Sequence, residues 1–126
     1  MNLGIFINSE LHSGGAYQYE YKILSILKKY HSNEKINIIY YSNNINVAAS
    51  YKKLGLNIKI IKENILQKIH RVGLSNSIYF EVLNKSNLKF SKIETILQDD
   101  NIDLIYFLYP SSLSLSIINI PYIFTL

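Results

Sequence analysis

The sequence predicts an α/β fold, a doubly wound parallel sheet with helices on both faces. Short apolar runs alternate with amphipathic segments along the 126 residues, a pattern typical of parallel sheets. The runs at 3–8 and 103–109 are nearly continuous, as expected of strands buried on both faces. The first run passes directly into a glycine-containing loop at 9–15. Right-handed crossovers then favour the strand order 3-2-1-4-5.

Length and composition exclude several classes of protein. A chain of 126 residues is expected to form one domain, and its 48% apolar content argues against wholesale disorder. The absence of Cys excludes disulfides, thiolate metal sites and a cysteine nucleophile. No apolar window reaches the roughly 18 residues of a membrane span, and the N-terminus does not read as a signal peptide. We therefore expect a cytoplasmic protein.

The first half of the chain is expected to contain three strands and two helices. The strands span 3–8, 36–42 and 56–61, and the helices span 16–30 and 47–54. Gly55 stands where the glycine that follows a helix belongs. Lys59 interrupts the third strand, which places that strand near a sheet edge.

The second half is expected to be mainly helical before it returns to the sheet. Helical segments are predicted at 64–72, 77–84 and 91–99, and strands at 103–109 and 121–126. Ser91 and Glu94 fit a capping box, in which each side chain bonds the backbone N–H of the other residue. Pro121 opens the last strand, where no ladder N–H is needed. The segment 111–118 fits either a strand or a short helix.

The predicted strand order places a candidate binding site at the carboxyl ends of the strands. Ligands of doubly wound sheets bind where the order reverses, which here brings 8–15 beside 109–112. Gly14 and Gly15 open the first helix, whose N-terminal amides suit a phosphate. The same glycines also fit a tight strand-to-helix turn. The dinucleotide and P-loop fingerprints are both absent.

Few side chains qualify as functional groups. His12 and Ser13 share the loop with the glycines, and His12 is a candidate acid, base or phosphate partner, or else a surface residue. Ser111 and Ser112 are candidate ligand contacts in the second loop. We expect no metal site, and we expect five further titratable residues to be solvated: His31, His70, Asp99, Asp100 and Asp103. No set of nucleophile, base and orienting residue can be assembled, so the catalytic residues are left unassigned.

Positive charge is concentrated in the middle of the chain. Residues 52–92 contain nine basic and two acidic residues, a net charge of +7 in a chain of net charge +4. Such a stretch fits a solvated lysine-rich surface, contact with anionic lipid, or nucleic-acid binding. Nucleic-acid binding predicts aromatic residues interleaved with the basic ones. Because Tyr79, Phe80 and Phe90 are spaced like core residues, we expect no nucleic-acid partner.

Four segments resemble a known family. They are LGIFIN at the start, the loop and helix GGAYQYEYKIL, the strand and loop NIDLIYFLYPSS, and the closing PYIFTL. Together they resemble the N-terminal domain of GT-B glycosyltransferases of the family-four type, over essentially the whole chain. The resemblance implies a Rossmann-like domain that holds the acceptor and faces a second domain that grips the nucleotide-sugar. That C-terminal donor domain has no counterpart in this sequence, so the resemblance implies the N-terminal half of an enzyme, inactive alone.

The resemblance also implies a reaction and residue roles. The intact enzyme would transfer a sugar from a nucleotide-diphosphate sugar, its donor substrate, to a glycan or lipid-linked acceptor in polysaccharide or cell-envelope biosynthesis. This half would need no cofactor. Gly14 and Gly15 would contact the donor phosphates, with His12 and Ser13 beside them. The cleft wall would comprise Tyr109, Pro110, Ser111 and Ser112.

The basic residues at 52–92 also suggest a contact with a membrane. Since many members of the family that the sequence resembles act on lipid-linked acceptors, Lys68 and Arg71 are expected to contact an anionic membrane at its inner face.

Two alternative functions are left open. One is a non-catalytic α/β ligand-binding domain, and the other is a basic nucleic-acid-binding module. Asn8 and Ser9, rather than an acidic pair, end the first strand, which argues against a phosphorylated receiver domain.

Overall fold

A computed structural model describes residues 1–31, 35–62 and 92–125 of the chain. These residues form an α/β fold around one five-stranded parallel sheet of order β3-β2-β1-β4-β5. The strands are β1 (Asn2–Phe6), β2 (Asn37–Ser42), β3 (Ile58–Ile60), β4 (Leu104–Phe107) and β5 (Tyr122–Phe124). The predicted sheet order and the edge position of β3 are confirmed.

The described helices agree with most of the sequence prediction. They are α1 (Gly15–Tyr30), α2 (Ile45–Ser50) and α3 (Lys92–Asp99), with 3-10 turns at Leu11–Ser13, Lys52–Leu54 and Ser112–Ser116. The helix predicted at 47–54 is split into α2 and a 3-10 turn, and Gly55 ends it with a left-handed φ of 63°. The ambiguous segment at 111–118 contains a 3-10 turn. The helices predicted at 64–72 and 77–84, with Lys68, His70 and Arg71, lie outside the described residues.

Both faces of the sheet are covered by apolar packing. On one face, side chains of α1 and α2 pack on β1 and β2; the buried members include Leu24, Val47, Ile5 and Tyr40. On the other face, α3 and the 3-10 turn Ser112–Ser116 pack on β1 and β4; the buried members include Ile93, Leu97, Leu113, Phe6 and Phe107. The two layers explain why β1, from Leu3 onward, and β4 contain no charged or amide side chains.

The central strand needs a glycine for close packing. A Cβ on Gly4 would come within 3.2 Å of the Tyr41 ring and 3.3 Å of Ile102. On the same face, the Phe6 ring stacks between Tyr41 and Phe107, at centroid distances of 5.5 and 4.9 Å. The small residue therefore lets the aromatic side chains of three adjacent strands pack against α3.

An ionic cluster fixes the β3 edge to the end of α3. Lys59 Nζ donates to both carboxylate oxygens of Asp100, at 2.6 and 2.7 Å, and the Tyr41 hydroxyl donates to Asp100 Oδ2 at 2.6 Å. The expectation that Asp100 is merely solvated was wrong, because folding places Asp100 beside two donors that are 41 and 59 residues away in sequence. Asp99 and Asp103 are exposed, although Asp103 accepts a bond from the Asn2 N–H at 2.7 Å.

The carboxylate of Glu94 connects α3 to the chain that enters β5. Its Oε1 accepts hydrogen bonds from the backbone N–H groups of Ile118 at 3.1 Å and Asn119 at 2.5 Å. The capping-box partner that we predicted for it, Ser91, lies outside the described residues. Within the described part of the chain, no helix is long and apolar enough to cross a membrane.

We predict that Asp100→Asn weakens the fold in a pH-dependent way. Burial alone would raise the pKa of Asp100, but hydrogen bonds from Lys59 and Tyr41 and the charge of Lys59 lower it overall. The ionised form therefore stabilises the folded state above the ordinary aspartate pKa of about 3.9 and ceases to do so as the pH falls through the lowered value. At pH 7 the substitution should cost about 1–2 kcal/mol.

Urea unfolding of both proteins between pH 7 and pH 2 measures this effect. The stability difference should shrink below about pH 4 as Asp100 is protonated in the wild type. Asp99→Asn, at the exposed neighbouring position, is the matched control and should change stability by less than about 0.5 kcal/mol. A pH-independent loss in Asp100→Asn would contradict the assignment.

Candidate functional site

The loops that follow β1 and β4 meet at the carboxyl edge of the sheet. β1 and β4 pair in register, with Phe6 opposite Phe107. Beyond that pair, the Tyr109 hydroxyl donates to the carbonyl of Ala16 in the first turn of α1, at 3.2 Å. The ring of Tyr109 also contacts Tyr19 edge to face, with centroids 5.5 Å apart. The structure therefore places the loop after β4 against the start of α1, at the point where the strand order reverses.

Gly14 and Gly15 have different structural requirements. Gly14 ends the 3-10 turn and caps α1 with φ 60° and ψ −124°, a conformation in which L side chains are strained. Gly15 is the first helical residue and has no such conformation. A Cβ on either glycine would meet nothing within 4 Å. The turn explains a glycine at position 14, whereas neither backbone strain nor packing explains one at position 15.

The first amides of α1 are available for a ligand. The first backbone hydrogen bond at the start of the helix runs from Gln18 N to Gly14 O, at 3.2 Å. The N–H groups of Gly15, Ala16 and Tyr17 precede it and have no acceptor within the helix. Because Gly15 carries no side chain, its backbone is open to close approach. The geometry permits an anion at this helix terminus.

Hydrogen bonds within the loop and to Asn44 and Ser50 hold residues 10–13 in place. Ser13 Oγ accepts from Glu10 N at 3.1 Å, and Ser13 N donates to Glu10 O at 2.8 Å. The Glu10 carboxylate also accepts from Asn44 Nδ2, and Leu11 N donates to Ser50 Oγ at 3.0 Å. The Ser13 hydroxyl, which we predicted to bind substrate, is thus an acceptor within the loop.

The remaining predicted site residues lie in the turns that follow β1 and β4. His12 is exposed on the 3-10 turn beside the glycines. Pro110 is exposed, and Ser111 Oγ caps the following 3-10 turn by accepting from Leu113 N at 3.2 Å. Ser112 is the first residue of that turn. Among the predicted wall residues, the side chain of Tyr109 is hydrogen-bonded to α1.

The structure adds a residue that the sequence analysis did not single out. Glu20, on the second turn of α1, is completely buried. Its carboxylate accepts hydrogen bonds from the N–H of Ser9 at 3.0 Å, the N–H of Asn8 at 3.4 Å and the Tyr51 hydroxyl at 2.7 Å. A signal for it exists, since Glu20 lies four residues from both Ala16 and Leu24 and so shares their helix face.

Glu20 determines where another anion can bind. The N–H groups that leave the end of β1, where doubly wound sheets often hold phosphate, already point at its carboxylate. The carboxylate of Glu20 also affects two tyrosines. Burial is the main cause that raises the pKa of Tyr51 far above its usual range, and the hydrogen bond to Glu20 raises it further. Burial also raises the pKa of Tyr109, and the charge of Glu20 adds to this effect. Among the described residues, the amides at the start of α1 are left open to an anion at this edge.

The two loops that meet at this edge contribute little positive charge. The two loops, residues 8–16 and 108–112, contain no Lys or Arg, and their titratable residues are Glu10, His12 and Tyr109. A cavity of about 350 Å³ lies elsewhere, near the amino ends of β2 and β3, where Lys28, His31 and Lys59 are among its lining residues. In the described ranges, no three His, Cys, Asp or Glu residues are grouped to hold a metal ion.

We predict that Glu20→Ala lowers the free energy of unfolding by about 3 kcal/mol or more, because it leaves two amides and a phenol without their acceptor. Tyr51→Phe removes one of the three bonds and should cost about 1–2 kcal/mol. Denaturant unfolding at pH 7 measures both. A loss below about 1 kcal/mol in Glu20→Ala would show that the carboxylate does not hold the loop.

Comparison with known proteins returned no match: no family model, no curated protein and no solved structure matches the chain. The resemblance to GT-B glycosyltransferases therefore stays a prediction from the residues that carry it. What the fold itself establishes is a parallel α/β sheet whose carboxyl edge joins an open helix terminus, a buried carboxylate and a pair of tyrosine rings.

Proposed function

We propose that this chain is the acceptor-side, N-terminal half of a GT-B glycosyltransferase that transfers a sugar from a nucleotide-diphosphate sugar to a glycan or lipid-linked acceptor. The observation that carries the proposal is the open backbone at Gly15, at the reversal point of the sheet. No requirement of the fold accounts for a glycine there, whereas close approach of a ligand does. The resemblance of the sequence segments to GT-B glycosyltransferases indicates that this ligand is a nucleotide-diphosphate sugar.

The charge distribution supports a donor site to which two domains contribute different groups. A diphosphate leaving group needs donors and cations arranged around its developing charge. The two loops at the carboxyl edge contain no Lys or Arg, so this half would contribute backbone amides and His12. The cations would come from the donor domain on the opposite side of a cleft.

The same edge suits an uncharged, hydroxyl-bearing acceptor. The half-buried rings of Tyr19 and Tyr109 offer apolar surface for the C–H face of a sugar. Tyr109 is held by its bond to the Ala16 carbonyl at 3.2 Å, so its ring is oriented before a ligand arrives. Hydroxyl and carbonyl groups of the loop at 109–112 would complete the cleft wall.

A transfer assay on the longer gene product tests the proposal. The reading frame beyond Leu126 is expected to encode a second βαβ domain of ordinary size. The longer protein should transfer sugar from a nucleotide-diphosphate sugar, with release of the nucleoside diphosphate, whereas the 126-residue chain should not. A stop codon directly after Leu126, or no turnover of any nucleotide-sugar by the longer protein, would overturn the proposal.

We predict that Gly15→Ala weakens donor binding without harming the fold. The added Cβ meets nothing within 4 Å in the protein, and Ala is a better helix former than Gly by about 0.5–1 kcal/mol. Stability should therefore hold or rise. The Kd of the longer protein for UDP should rise about tenfold or more, because the methyl group stands where a phosphate would approach. Isothermal titration measures the affinity.

Gly14→Ala is the contrasting variant. Its φ of 60° makes the substitution strained whatever the space, so this variant should lose about 1–2 kcal/mol of stability. If Gly15→Ala binds UDP as tightly as the wild type, no phosphate approaches the backbone at Gly15 and the assignment of the phosphate site fails.

A further inference from the structure

The cavity near the amino ends of β2 and β3 is large enough for a small molecule. Its volume is about 350 Å³, and its lining includes Lys28 and the cap residue His31 at the end of α1, together with residues 38–40 and 55–57. Sites for small molecules have volumes of roughly 300–1,000 Å³. The cavity lies at the opposite end of the strands from the loops that follow β1 and β4.

Tyr40 lines this cavity and has a buried hydroxyl without a partner. The residue is only 6% exposed, and in the part of the chain that the structure describes its hydroxyl oxygen makes no hydrogen bond. The hydroxyls of Tyr41 and Tyr51, by contrast, each donate to a carboxylate. Because an unpartnered buried hydroxyl is costly, packing alone does not explain a tyrosine rather than a phenylalanine at position 40.

The side chain of Tyr40 lies on the face of the sheet that α1 covers. Its ring belongs to the same apolar cluster as Leu24 of α1 and Ile38 of β2, and α1 is also the helix from which Lys28 lines the cavity. Burial raises the pKa of Tyr40, so the hydroxyl keeps its proton. It can therefore donate a hydrogen bond to an acceptor atom of a ligand.

Lys28 supplies a positive charge at this cavity. Its ammonium group donates to the carbonyl of Leu54 and lies 3.4 Å from the position that a Cβ on Gly55 would take. An ammonium group has three N–H donors, so two remain after this bond. The partial negative charge at the end of α1 is offset in part by Lys29 in the same turn.

The rest of the lining favours a ligand with one anionic group and an apolar body. Lys59 also lines the cavity, but its ammonium group is paired with Asp100 at 2.6 Å. The described lining residues include no Asp or Glu, and Ile38, Ile39 and Leu56 are apolar. The charge of Lys28 therefore faces no competing carboxylate within this lining.

We propose that this cavity binds a small organic anion, a carboxylate or a phosphate ester with a compact apolar body. The anionic oxygen atoms accept hydrogen bonds from the Tyr40 hydroxyl and the Lys28 ammonium group, and the apolar body packs against Ile38 and Leu56. Because the cavity and the candidate phosphate site at the start of α1 lie at opposite ends of the sheet, the proposal is independent of the glycosyltransferase assignment.

An NMR titration of the 126-residue chain with phenyl phosphate and with phenylacetate tests the proposal. At least one of these probes should shift the amide resonances of Gly55 and Leu56 saturably, and the probe that binds identifies the anionic group. Benzyl alcohol, which has no charge, and inorganic phosphate, which has no apolar body, should each bind about tenfold more weakly or less.

Two variants separate ligand binding from folding. Tyr40→Phe should weaken binding of the probe about tenfold without lowering the midpoint of thermal unfolding, because the hydroxyl has no bond to lose in the free chain. Lys28→Gln should also weaken binding about tenfold. Lys22→Gln is the matched control, since Lys22 is exposed on the same helix and outside the cavity, and it should leave the affinity unchanged.

Four results would each overturn the proposal. Absence of saturable binding by both probes would show that the cavity holds only solvent. Inorganic phosphate that binds as tightly as the probes would exclude a role for the apolar lining. Shifts confined to the amides of residues 15–17 would place the probe at the candidate phosphate site instead. A lower unfolding midpoint for Tyr40→Phe would show that the hydroxyl has a partner within the chain.

Discussion

A buried carboxylate, that of Glu20, joins three segments of this molecule at the carboxyl edge of the sheet. Glu20 lies on α1, yet its carboxylate is bonded to the first amides after β1 and to Tyr51, which follows α2. A buried carboxylate without donors is costly, so these three segments can hardly move apart. Separate hydrogen bonds, from Leu11 N to Ser50 and from Asn44 to Glu10, join the same loop to α2 and its first cap residue.

The sheet could be predicted because burial and crossover handedness leave few alternatives. Strands covered on both faces must be apolar throughout, and β1 and β4 show this directly in the sequence. The edge strands were less predictable: the apolar runs at 56–61 and 121–126 contain only three paired residues each. An apolar run indicates that its side chains are buried. The length of a strand depends instead on how many of its residues pair with a neighbouring strand.

Of the candidate site, the sequence predicted the glycine turn but not the side-chain contacts between distant segments. The glycine at position 14 is required by its own φ, which local sequence reveals. The partners of Glu20, Glu10 and Asp100 come from residues 11 to 59 positions away, and no local pattern specifies such encounters. The hydroxyls of Ser13 and Ser111 accept hydrogen bonds from their own loops, and the sequence does not reveal these bonds.

The ion pair between Lys59 and Asp100 also has a consequence for the edge of the described sheet. Lys59 stands on β3, the strand at one end of that sheet, and two short bonds fix its ammonium group to Asp100. Charged side chains on an edge strand discourage pairing with a further strand. The contact that joins β3 to the end of α3 thus also protects the backbone of β3 against aggregation.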